Sequence, residues 1–462
     1  MAQKKLGLFT AVATGVGLIL STSCLLSLGL GVGPLGAGFL IAILAACALN
    51  ICTALSLGEL NAVLPNLTGG LAQYTLVCLG PFMTIVIMVG GYLFCLVLCS
   101  CAEVGMFGNV FTTLMPNTLS AKEYCYILLT IITAVNLLGV DMFAKVQNVI
   151  AYSLIAMMVV MGLFGIFHMG SGTPIEQPIA LTWNISETFS MVGLAFFLFV
   201  GCEFIIPIAK DIKNPRITVP LGMVVSLLVV AVMDIAVMFG MSQYVPWAEL
   251  GSSATPHLVY GIALFGETGM ILMAITSILA AISTMNSTIN ALPHVCAGMA
   301  NIGLLPKIFL KRNRFGAPFI GIALVVLPVY ALVAVGFSEA EELGFLILIG
   351  CVFWMCSYII SNINVLVLRR TMPTVPRAFK VPFGPIIPLI GALGTLYMVL
   401  NIDSDPDTRN YILSICCGTF ALIGAWAFVW IKFFMKKPLF KRFAIKDVMA
   451  MENEMYHIVR RH

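Results

Sequence analysis

The chain has 462 residues, of which 60% are hydrophobic and only 10% charged, and its mean hydropathy is +1.05. That apolar excess excludes a soluble globular protein, and the lack of short alternating segments excludes a membrane β-barrel. The net charge of +4 is too slight and too dispersed for a nucleic-acid binder. What remains is an all-α, polytopic integral membrane protein.

Hydropathy predicts about twelve spans, near 7–32, 35–57, 82–111, 124–141, 147–169, 187–208, 218–242, 266–290, 318–337, 342–367, 384–401 and 410–435. Each approaches the ~20 apolar residues that cross a bilayer. The first run follows Lys4 and Lys5 as a signal peptide would, but it stays apolar far beyond the ~7–15 residues of a signal core. It reads as a retained helix. With a cytoplasmic N-terminus, 22 of the 24 Lys and Arg fall inside, and only Lys122 and Arg409 fall outside. This bias predicts that both termini are cytoplasmic and the number of spans is even. The loops are short, so no soluble domain is expected. The basic tail, 436–462, reads as an anchor at the anionic inner leaflet. The 14 cysteines lie mostly in spans and show no paired C-x-x-C spacing, so neither disulfides nor a metal site is expected.

Polar residues inside spans are the functional candidates, because a charge in the hydrocarbon core costs at least ~2.5–3.5 kcal/mol. The first span holds "TGVGLILSTSC" (14–24), with Gly15 and Gly17 followed by Ser21, Thr22 and Ser23. The third holds Ser100 and Glu103, and the sixth holds Gly193, Gly201, Cys202 and Glu203. Asp234 lies in the seventh, and His294 follows the eighth. Each acid has two readings: a functional group, or an interior side chain satisfied by a neighbouring helix. For Asp234 and His294 the structural reading is preferred. The glycines also have two readings, close helix packing or interruption of the helix where it lines a cavity. Two interrupted spans, five apart, point to an inverted-repeat transporter with its site at the midplane.

Four segments carry a resemblance to a known family: "LSLGELNAVLPNLTGGLAQYTLVCLG" (55–80), "FFLFVGCEFIIPIAKDIKNPRITVP" (196–220), "MANIGLLPKIF" (299–309) and "PRAFKVPFGPIIP" (376–388). In order and spacing they resemble the amino acid–polyamine–organocation permeases along nearly the whole chain. The resemblance implies a LeuT-type fold of five plus five inverted helices with helices 1 and 6 broken, followed by two C-terminal helices. The corresponding boundaries are a transporter domain over 1–435, with repeats at about 7–169 and 187–367 and the last two helices at about 384–435.

It further implies alternating-access transport of an amino acid or biogenic amine across the plasma membrane, by exchange or by coupling to a cation. A sensor or channel on the same scaffold is the alternative. The family's first-helix pattern falls on Gly15 to Leu25, with Gly15, Val16, Gly17 and Ile19 matching and Ser21 and Ser23 replacing two glycines. The implied substrate-binding residues are Gly17, Ser21, Thr22, Ser23, Ser100, Glu103, Phe197, Phe199, Val200, Gly201 and Glu203, with the two acids facing an amine. Two acids and a glycine-poor loop tilt the expectation towards an amine-bearing substrate. The lysine that some relatives carry in the fifth helix is absent near Ser153 and Leu154. Sodium could instead meet Ser283, Thr284, Ser287 and Thr288 of the eighth, although such hydroxyls commonly bond back to their own helix. Asp234 and His294 depart from the family pattern and point to a divergent subgroup. No resident cofactor is expected, H⁺ coupling remains open beside Na⁺, and the partners are the small solute and the bilayer. No H-E-x-x-H or partnered G-x-S-x-G motif indicates an enzyme.

Overall fold

A computed structural model of the chain describes residues 7–64, 70–139, 143–177, 185–207, 209 and 212–448. Lys4, Lys5, Lys210, the 65–69 part of the second-span signature and the tail from 449 lie outside the described residues. All regular elements among the described residues are helical.

The first predicted span is two helices, α1 (Leu8–Ile19) and α2 (Thr22–Leu35). Between them Leu20 (φ −68°, ψ 121°) and Ser21 (φ −136°, ψ 164°) are extended. The break thus falls within the expected stretch, 14–24, at its serine end. Gly15 and Gly17 belong to the regular helix α1, and the chain unwinds three residues after Gly17. Gly15 serves packing instead, since a side chain there would run into Ser226 and Ile205.

The second span is α3 (Phe39–Val63). A short α4 (Leu71–Cys78) leads to the third span, where α5 (Pro81–Val86) passes through π-helical turns (Ile87–Phe94) into α6 (Cys95–Leu114). Next come α7 (Ala121–Leu137), started by a capping box between Ser120 and Glu123, and α8 (Phe143–Ile166).

The sixth span is also in pieces: α9 (Ile185–Ser190), α10 (Val192–Phe197) and a 3₁₀ turn (Cys202–Ile205). Gly201, at φ 115°, sits at the interruption in the left-handed region, where a side chain is strained. Gly193 is inside α10 and packs on Ile402. After α11 (Pro215–Ser242) come two short helices that hydropathy had passed over as loop, α12 (Trp247–Ser252) and α13 (Pro256–Phe265). Then come α14 (Glu267–Asn301), α15 (Phe319–Val335), α16 (Leu343–Thr371), α17 (Ile386–Leu400) and α18 (Pro406–Val429), which runs on into π-helical turns (Trp430–Met435).

Among the described residues, six helical stretches are long and apolar enough to cross a membrane. Their burial separates centre from rim. The most apolar stretch of α16 is 78% buried, against 22% for the stretch starting at α18, where Leu422, Phe433 and Phe434 face outward. An apolar outer face is what a lipid solvent requires.

Inside, α3 and α16 are joined by polar side chains. Ser56 Oγ donates to Asn362 Oδ1 at 2.7 Å, and Asn362 Nδ2 donates to Thr53 Oγ1 at 3.0 Å. One end of this seam closes on Glu59, fully buried, which pairs with Arg369 and with Arg377 and accepts the Val381 N–H at 2.8 Å.

Candidate functional site

The two interruptions lie side by side: α1 packs on the 3₁₀ turn and α2 on α10. Each helix end there leaves backbone groups without an intrahelical partner. The fold supplies side chains. Glu103, 1% exposed, reaches from α6 to the start of α2. Its Oε2 accepts from the Thr22 N–H at 3.2 Å, and its Oε1 accepts from the Ser23 N–H at 2.9 Å and from the Ser23 hydroxyl. A carboxylate on helix N-terminal N–H groups also meets the positive end of the helix dipole. The break thus exists because hydroxyl-bearing residues favour caps over helix interiors and because an acid from another span accepts the freed donors.

The remaining hydroxyls of the break have partners too. Thr22 Oγ1 donates to the Ser277 carbonyl of α14 at 2.8 Å, and Ser21 Oγ contacts Cys24 Sγ at 3.3 Å. Ser100 lies one turn before Glu103 on α6 and is 2% exposed; Ser277 is 1% exposed. The side-chain oxygens of both are buried without a hydrogen-bond partner.

The second predicted acid has a different surrounding. Glu203 Oε1 accepts from the Tyr92 hydroxyl at 2.6 Å and from Trp354 Nε1–H at 3.0 Å, and Oε2 accepts from the Tyr358 hydroxyl at 2.6 Å. Tyr92 comes from the π-helical turns and packs its ring 5.1 Å from that of Trp354. The carboxyl group therefore binds the sixth span to the third and tenth. Phe197, Phe199, Val200 and Gly201 are all buried, and the Gly201 N–H lies 3.5 Å from the Tyr358 hydroxyl. Sequence reasoning missed Tyr92, Trp354, Tyr358 and Ser277. The available signal was a buried aromatic with a polar tip, Trp354 and Tyr358 being one turn apart on α16.

On α14, Ser283 and Thr288 are buried and Thr284 and Ser287 half-buried. The Ser287 hydroxyl donates back to the Ser283 carbonyl at 2.7 Å, the local alternative that the sequence had left open. Asp234 is fully buried with neither carboxyl oxygen partnered, and His294 Nδ1 lies 2.8 Å from the Asn290 carbonyl on its own helix.

The sequence profile of the amino acid permeases matches residues 6–435, almost the whole chain. The chain belongs to the amino acid permease family. A branched-chain amino acid permease of Bacillus subtilis is 24% identical over 421 residues, covering 87% of this permease and 88% of the relative. A methylthioribose transporter of the same organism is 24% identical over 440 residues, covering 90% and 92%. Among solved structures, a mutant manganese transporter of Eremococcus coleocola shares the fold with a TM-score of 0.56 at 14% identity, covering 91% of this permease and 94% of that chain. The permease is therefore a multi-pass membrane transporter of LeuT-type fold and not an enzyme, and its ligand is a small molecule.

Proposed function

We propose that this permease is a secondary active transporter of an amino acid or biogenic amine, working by alternating access as an exchanger or a symporter coupled to Na⁺ or H⁺. The observation that carries this reading is the buried polar centre where the interruption of the first span meets that of the sixth. Its helix ends and acids are held by side chains from the third and tenth spans and by a backbone carbonyl of the eighth. Such a centre can change partners as the surrounding helices rock, which a continuous helix cannot do. The relatives named for a branched-chain amino acid and for methylthioribose are both carriers of small polar solutes. The distribution of Lys and Arg supports cytoplasmic termini in the plasma membrane.

Uptake by proteoliposomes tests the reading. Radiolabelled amino acids and amines are offered with and without Na⁺ and pH gradients, and with solute preloaded inside. Saturable flux, accelerated by internal solute or by a cation gradient, is expected. Ionic current without saturation, or binding without flux, would replace the transporter with a channel or a sensor.

A further inference from the structure

The start of α2 is where backbone N–H groups would receive an anionic end of a solute. In this permease those groups already serve Glu103. Both carboxyl oxygens are engaged, one by Thr22 N–H and the other by the N–H and hydroxyl of Ser23. A solute carboxylate brought to these N–H groups would compete with Glu103 for them and would face another carboxylate in a buried setting, where like charges repel strongly.

Two buried hydroxyls are left over. Ser100 Oγ, on the same face of α6 as Glu103, and Ser277 Oγ, on the α14 residue whose carbonyl holds Thr22, are both buried and unpartnered. Hydroxyl oxygens can accept, and so can the outer lone pairs of Glu103. The known hydrogen-bond partners of Glu103 and Glu203 are all uncharged. An ammonium group, with three donors and a positive charge, complements this set.

We infer that the solute is an amine without a free carboxylate, its ammonium group seated by Glu103, Ser100 and Ser277, while Glu103 itself stands where a solute carboxylate would bind. This rests on the transport reading above and narrows its substrate class.

Matched ligand series test it by thermal stabilisation of the purified full-length protein. Lysine, lysinamide and cadaverine form one series; leucine, leucinamide and isoamylamine form another. The amine and amide members should stabilise the protein at concentrations at least tenfold lower than the free amino acids. Stabilisation led by the amino acids, or by no member of either series, overturns the inference. Saturable uptake of an amino acid in the liposome assay would then leave transport standing and remove only this substrate class.

Variants add an independent check. Glu103→Ala frees the N–H groups of Thr22 and Ser23, so the preference for cadaverine over lysine should fall at least tenfold. Ser100→Ala and Ser277→Ala remove unpartnered hydroxyls, so they should leave the unliganded melting temperature unchanged and weaken cadaverine severalfold. Unchanged cadaverine affinity in both serine variants argues against the proposed seat.

Discussion

At the scale of single residues, the acids of the third and sixth spans are each held by three donors but do different work. Glu103 caps a helix end, and Glu203 gathers three aromatic donors. Removing the Glu203 carboxyl strands Tyr92, Trp354 and Tyr358, and each buried unpaired donor costs about 1–3 kcal/mol. Glu203→Ala is therefore expected to lower the melting temperature well beyond Tyr358→Phe, which takes one donor from Oε2 and removes the 3.5 Å acceptor of the Gly201 N–H. Melting curves of the two purified variants against wild type give the comparison. The presence of both acids was plain in the sequence, because a charge in an apolar run stands out. Their partners were not, since Thr22 is 81 residues from Glu103 and Tyr358 is 155 from Glu203.

At the scale of elements, the two interruptions have different causes. In the sixth span the conformation is local: Gly201 takes φ 115°, which costs a residue with a Cβ about 1–2 kcal/mol. Gly201→Ala should lower the melting temperature and slow uptake, as proteoliposome flux at saturating solute would show. Unchanged stability would mean that the turn relaxes without glycine. In the first span neither broken residue is a glycine, and the break lies at the serine end of the 14–24 stretch. Gly15 marks where α1 packs closely on Ser226 of α11, whereas the unwinding follows from Ser21 to Ser23 and the acid that meets them. Helix propensity alone could not separate these cases, because glycine disfavours a helix whether it is used for packing or for a break. The short helices α12 and α13 escaped notice for a related reason, being too short to register as spans.

At the scale of the whole molecule, the bundle is centred on α16, which meets α3 along the Ser56–Asn362–Thr53 contacts and ends at the Glu59 cluster. Glu59 holds Arg369, Arg377 and the backbone of Val381 together, so it joins α3, α16 and the connection to α17. Breaking a buried ion pair by removing one partner costs about 3–5 kcal/mol, because the other charge is left uncompensated. Glu59→Ala should therefore be the most destabilising of the substitutions outside the central site. It is read as the loss of melting temperature and of monodisperse protein on size exclusion. Glu59→Gln, which keeps the volume and one acceptor, should recover part of that loss.

Hydropathy is a sum over neighbours in the chain, so the sequence by itself determined the membrane class, the approximate ends of the spans and which spans carry polar residues. The family resemblance added the order of those spans and the pair that is interrupted. Only the tertiary structure decided where the first interruption falls, which donors occupy each acid and which hydroxyls remain unpartnered. Those outcomes depend on groups far apart in the chain meeting in a buried space where each donor and acceptor must find a partner. The opening serines are the clearest case: Ser21 and Ser23 looked like a carboxylate loop short of glycine, and they prove to flank a helix start whose donors an internal glutamate already holds.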